Sequence, residues 1–176
     1  MNSIQQTTNK TIFLYSLWGS IQPSLRSLGS IINKVWRERV EELLAQYNDY
    51  EDLATSLQRI IKEARDKLEE LDKDNNKKES YPFFQLLNSE ENISREEEKN
   101  KISKKIADEI RNSGERNMDW MRKESNKAKF TNNLSLLLCQ YFSKDKREIL
   151  IENILREIEF IHCPEKPISN KSEFVI

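Results

Sequence analysis

The 176-residue chain is 36% hydrophobic and 34% charged, with a formal charge of −1, three glycines and four prolines. Sandwiches and barrels need glycine- and proline-rich turns every 8–12 residues or so, which this composition excludes, and the length suits one domain. A charged fraction above the roughly 25% of ordinary domains, with a mean hydropathy of −0.80, fits slender helices that have one buried stripe and broad wet faces.

The apolar run Ile12-Phe13-Leu14-Tyr15-Ser16-Leu17-Trp18 predicts a first helix over about 4–18, stopped by Gly19. It is apolar on most sides, so it wants to be surrounded by its own bundle or by a partner. Pro23 fits the first turn of a second helix, where its missing N–H costs nothing. That helix carries Leu25, Leu28, Ile32, Val35, Val40, Leu43 and Tyr47 at three- and four-residue steps, with Gly29 inside it as a kink or a close crossing. Asn48 with Glu51 reads as a capping box for a third helix, whose stripe is Leu53, Leu57, Ile60, Ile61, Ala64, Leu68 and Leu71.

Asp72 to Ser80 holds no apolar residue, so residues 73–80 read as a polar linker between two lobes, 1–72 and 81–163. Tyr81 to Leu87 predicts a short helix pinned by aromatics. Ser94 and Glu97 form a second capping box, before a helix with Ile102, Ile106 and Ile110 on one stripe. Asn112-Ser113-Gly114 ends it. A long helix over about 115–141 follows, with Met118, Met121, Phe130, Leu134, Leu137, Leu138 and Tyr141 inward. Ser143 then caps a last helix with Ile149, Leu150, Ile154, Ile158 and Ile161 inward, stopped by Cys163-Pro164. The expectation is an all-α bundle of five to six helices over residues 1–163, and a flexible tail over 164–176.

Charge is laid out in blocks. Residues 1–40 hold five basic groups against one acid, residues 41–72 ten acids against four basic groups, and residues 111–147 nine basic groups against four acids. Such blocks suit an anionic partner or a charged subunit interface, and equally suit facing helices that complement each other. No apolar stretch approaches the ~20 residues of a membrane span, and a clean signal-peptide cleavage site is missing, so a cytoplasmic location without membrane contact is expected.

Parts for catalysis are scarce. The single histidine, His162, lies at a helix end, where it reads as a C-capping cation. Cys139, His162 and Cys163 make at most three zinc ligands, so no metal and no cofactor are expected. The paired glutamates at 41–42, 69–70 and 96–98 read as solvated faces. The chain is expected not to be an enzyme.

The basic positions are more suggestive. On one helix, Arg122, Asn126, Lys129 and Asn133 would share a face at i, i+4, i+7 and i+11, with Arg116, Lys123 and Lys127 on the neighbouring face. Lys144, Lys146 and Arg147 follow after the turn. This strip could neutralise phosphates along a nucleic-acid backbone, with Trp120 beside it as a stacking or a half-buried core residue. A solvated lysine face is the alternative. Arg26, Lys34 and Arg37 form a second, looser basic line.

Residues 99–163 resemble the helical C-terminal region of the large subunit of type I CRISPR interference complexes, also made separately as the small (belly) subunit of Cascade. The stretches that carry the resemblance are Lys104-Lys105-Ile106-Ala107, Ile110-Arg111, Phe130-Thr131-Asn132-Asn133, Leu137-Leu138-Cys139 and the Ile154-to-Ile161 stripe. It implies a non-catalytic antiviral-defence subunit that contacts guide RNA, target DNA and the displaced strand through backbone phosphates. Its partners would be the other subunits of the complex and further copies of itself in a stack, and specificity would come from base pairing. The rival expectation is a protein–protein adaptor without nucleic acid, docking through the greasy first helix and the Phe83-Phe84 patch. A peripheral membrane role for the first helix lacks the usual Lys/Arg-rich polar face.

Overall fold

A computed structural model describes residues 2–46, 49–113 and 119–162. The described residues form seven helices of 14 to 25 residues and one single turn, with no strand among them. In chain order these are α1 (Asn2–Arg26), α2 (Ser30–Gln46), α3 (Tyr50–Asp72), α4 (Asn75–Asn88), α5 (Glu96–Asn112), the single turn α6 (Asp119–Arg122), α7 (Glu124–Leu138) and α8 (Lys144–His162).

The first break comes later than expected. Helix α1 runs through both Gly19 and Pro23. Its buried stripe of Thr11, Leu14, Trp18, Ile21 and Leu25, continued by Leu28 just beyond the helix, repeats at steps of three and four. This continuous apolar face outweighs the weak helix propensity of one glycine and one proline. The chain turns instead at Gly29, whose φ of +105° an L side chain rarely adopts. Leu28 N–H bonds to the Leu25 carbonyl and Gly29 N–H to the Arg26 carbonyl, each at 3.1 Å, closing the end of α1.

The α1–α2 corner is locked from across the molecule. The buried carboxylate of Glu157 on α8 accepts from Ser30 N–H and from Ser30 Oγ, each at 2.5 Å, and so caps the start of α2. Arg26 Nε donates to the Phe160 carbonyl at 3.0 Å while its guanidinium stacks 4.2 Å above the Phe160 ring. Pro82, buried within α4, packs against Gly29.

Other starts are capped by side chains. Asp49, not Asn48, caps α3 by accepting from Glu51 N–H, and Asn48 lies outside the described residues. Asp74 accepts from Asn76 and Lys77 N–H, so residues 75–80 form the first turns of α4 instead of a linker. The polarity of that segment reflects an exposed helix start, since Ser80 is already buried. The Ser94–Glu97 capping box is not formed: Arg95 occupies the cap position of α5 with no side-chain cap bond. At α8 the Ser143 carbonyl accepts the first helical bond, from Arg147 N–H at 2.9 Å.

Buried apolar side chains fall into two clusters. One holds residues from Leu14 to Leu71 on α1, α2 and α3. The other holds Phe83, Leu87, Ile93, Ile102, Ile106, Phe130, Leu134, Leu138, Phe142, Leu150, Ile151, Ile154 and Ile158. Each fully buried leucine, isoleucine or phenylalanine contributes about 1.5–3 kcal/mol. Ile149, expected inward, is 62% exposed, because Leu150 and Ile151 take the core side of that turn. Gly114, Met118, Cys163 and the tail over 164–176 lie outside the described residues. No described helix is long and apolar enough to cross a membrane.

Candidate interaction surfaces

The basic strip does not lie on one helix. The helix expected over 115–141 breaks at Lys123, whose extended backbone (φ −94°, ψ 111°) separates α6 from α7. Arg122 therefore belongs to a different segment from Asn126, Lys129 and Asn133. Arg116 and the side chain of Trp120 lie outside the described residues.

Several strip residues serve the fold. The Asn133 amide donates to Glu109 Oε1 on α5 at 2.5 Å. Lys146 Nζ reaches Asn92 Oδ1 at 3.2 Å, and Arg147 Nη1 reaches the Ser135 carbonyl at 3.4 Å. Lys127 is half-buried, one turn before the core residue Phe130. Lys123, Lys129 and Lys144 are exposed, and none has an ion-pair or side-chain hydrogen-bond partner among the described residues. Asn126 is exposed as well.

The second basic line is also engaged. Lys34 lies 3.6 Å from Glu38 and Arg37 3.8 Å from Glu41, both i,i+4 pairs on α2 and both well exposed. Such pairs contribute about 0.3–0.5 kcal/mol each. The acidic third helix is answered by its neighbours: Arg39 on α2 pairs with Glu63 at 2.7 Å, and Lys77 on α4 pairs with Glu70 at 3.0 Å. Lys77, and after it Lys67, holds the Glu70 carboxyl below its usual range and Glu70 raises the Lys77 pKa, both chiefly through their hydrogen bonds. Much of the block pattern of charge is thus cancelled inside the molecule.

His162 closes α8 beside a cavity of about 630 Å³, lined also by Pro82, Phe83, Ile110, Arg111 and Ile161. Desolvation lowers its pKa, which favours the neutral ring over the capping cation expected from its position.

What the charge patterning hides is the outer side of α1. Its 25 residues carry only Lys10 and Arg26 as charged groups, and no acid precedes Glu38. Ile12 is 63% exposed, Phe13 65% and Tyr15 46%. The uniform greasiness of 12–18 was readable in the sequence, but which half stays uncovered depends on where α3 packs. By contrast Phe83 is buried and Phe84 half-buried, so no Phe83-Phe84 surface patch exists.

The described residues form an all-α scaffold, rich in charge, that leaves Ile12, Phe13 and Tyr15 exposed together on α1. A family model described as type I restriction enzyme HindI endonuclease subunit-like, C-terminal, matches residues 5–163, and the chain belongs to that family. No curated protein and no solved structure matches it. The match overturns the resemblance to the small subunit of Cascade and the assignment to CRISPR defence. That resemblance lay in short pieces of amphipathic helix over residues 99–163, and such pieces recur in any bundle with a basic outer face. The restriction-enzyme family accounts for both halves of the chain.

Proposed function

We propose that this chain is a non-catalytic, cytoplasmic assembly module that joins a type I restriction endonuclease subunit to the other subunits of its enzyme. The observation that carries this reading is the open face of α1, with Ile12, Phe13 and Tyr15 exposed on a helix that has no acid. Isolated exposed apolar residues are ordinary, but three within one turn, in a chain that is otherwise heavily charged, mark an interaction surface. Membership of an endonuclease-subunit family supplies partners of the right kind, and chemistry then belongs to the rest of the enzyme.

The test mixes the purified chain with each subunit of its restriction enzyme and follows sedimentation velocity. The double variant Ile12→Asp/Phe13→Asp should lose the complex while keeping its helical circular dichroism, because both positions are exposed. Assembly unchanged by the double variant would refute the reading.

The three unpartnered lysines at 123, 129 and 144 favour a second, smaller role in gripping a DNA backbone. Binding of that kind should weaken steeply between about 50 and 200 mM salt, whereas α1 docking should hold.

A further inference from the structure

Cations are treated differently in different parts of the chain. Residues 99–147 hold thirteen basic groups against six acids, although the whole chain carries a charge of −1. Before that stretch many cations find carboxylates: Lys34, Arg37, Arg39, Lys77 and Lys78 are all ion-paired. Within it the pattern reverses. Lys101, Lys104 and Lys105 on α5, and Lys127 and Lys129 on α7, have no ion-pair or side-chain hydrogen-bond partner among the described residues. Lys99, Lys146 and Arg147 reach only neutral oxygens, those of Asn88, Asn92 and Ser135.

Three of the unpartnered lysines border the seam between α5 and α7. The Asn133 amide on α7 joins the two helices by donating to Glu109 Oε1 on α5. Lys101, Lys105 and Glu109 follow one another at steps of four on α5, and Lys129 stands four residues before Asn133 on α7. Lys105 and Lys129 are therefore each one turn, about 6 Å of helix rise, from the joining bond. Few acids answer them. Asp108 is taken by Arg111 at 3.0 Å and Glu109 by the Asn133 amide. The remaining acids of the two helices, Glu96 to Glu98 and Glu124, stand in the first turns, where they offset the helix dipoles.

We infer that the α5–α7 seam grips the phosphate backbone of duplex DNA, with Lys101, Lys105 and Lys129 as the cations that neutralise it. The inference rests on the DNA-backbone role proposed above and locates it, adding two lysines of α5 that lie outside the basic strip expected from sequence. Cations left without counter-charges on two joined helices select an anionic partner. A protein partner fits less well, because lysine is depleted from protein interfaces. Leu136 is also the only large hydrophobic exposed on either helix. A single strand fits less well too, since it is held largely by stacking on aromatic rings. The one aromatic residue of the two helices, Phe130, is buried. Asn126, exposed on α7 three residues before Lys129, adds a neutral donor for a phosphate oxygen.

The probe is a fluorescein-labelled DNA duplex of mixed sequence, followed by fluorescence anisotropy with the full chain between about 50 and 200 mM salt. Lys101→Gln/Lys105→Gln/Lys129→Gln should weaken binding at the lower salt by at least about tenfold. It should also flatten the slope of log K against log salt by about 2–3, since each phosphate contact contributes about 0.9. Lys10→Gln/Lys62→Gln/Lys73→Gln removes the same charge from exposed, unpartnered positions off these helices, and should leave the affinity within about twofold. Glu109→Gln keeps an acceptor for Asn133 while removing the carboxylate at the centre of the seam, and should tighten binding about threefold. Helical circular dichroism should match the parent throughout, because none of these side chains belongs to the core. No binding at the lower salt, equal losses from the two triple variants, weaker binding by Glu109→Gln, or displacement of the duplex by polyglutamate of matched charge would each overturn the inference. Binding that survives the seam variant and is lost with Lys123→Gln/Lys144→Gln leaves the DNA-backbone role standing and removes the seam from it.

Discussion

The α1–α2 corner allows one substitution to be worked through with its sign and size. In Gly29→Ala the new Cβ would lie 2.4 Å from Glu157 Oε1, 2.9 Å from Pro82 Cβ and 3.2 Å from Pro82 Cα. Pro82 sits in a helix and cannot retreat, so Glu157 must move off Ser30. Loss of a charged hydrogen bond costs about 1.5–3 kcal/mol, and holding a side chain at a φ of +105° costs about 1–3 kcal/mol more. The sum, about 2.5–6 kcal/mol, is a large share of the ~5–15 kcal/mol that holds a domain together. Urea unfolding followed by far-ultraviolet circular dichroism should show the midpoint falling by about 2 M for a chain of this size. The double variant Gly29→Ala/Glu157→Ala should cost at least about 1 kcal/mol less than the sum of the singles, since both singles lose the Glu157–Ser30 bonds and without the carboxylate only the contact with Pro82 remains. Gly19→Ala, in open helical surroundings, should instead stabilise by about 0.5–1 kcal/mol. An additive double variant, or a Gly29→Ala midpoint within experimental error of the parent, would refute the account of this corner.

Three further outcomes are expected. Asp49→Ala and Asp74→Ala should each cost about 0.5–2 kcal/mol in thermal melts, because each side chain caps a helix start, whereas Ser94→Ala should be silent. Leu134→Ala, at a fully buried position on α7, should cost about 2–5 kcal/mol by urea titration. Desolvation lowers the folded pKa of His162 below its ordinary 6.5, so the folded chain binds fewer protons than the unfolded one there. Stability should therefore be kept above pH 6.5, fall as pH drops past it, and stop changing through this group below the folded value. His162→Gln should flatten that part of the pH profile.

Helix content and most of the core were legible because both depend on short-range periodicity. Leu53 to Leu71 on α3 and Ile102 and Ile106 on α5 repeat at helical steps, and their burial follows directly. Breaks were harder to read, because a break depends on what packs across it. Gly19 and Pro23 carry stronger local stop signals than Ser27-Leu28-Gly29, yet the unbroken stripe from Thr11 to Leu28 carries α1 past both. Gly29 becomes the corner since Pro82 and Glu157, more than fifty residues away in the chain, leave no room for a Cβ. The reverse holds at Lys123, where helix-compatible residues on both sides did not prevent a break.

The same distinction decides which of the basic residues stay open to a ligand. A sequence lists charges but not their partners, and partners decide whether a charge is available. Asn133, Lys146 and Arg147 are drawn into Glu109, Asn92 and Ser135, while Arg39 spends its charge on Glu63. An apolar residue is subject to the opposite logic. The run that holds Ile12, Phe13 and Tyr15 suits its own bundle or a partner equally, and only packing shows that α3 covers the adjacent stripe and leaves these three exposed. In a chain so rich in charge, a surface stands out by lacking it.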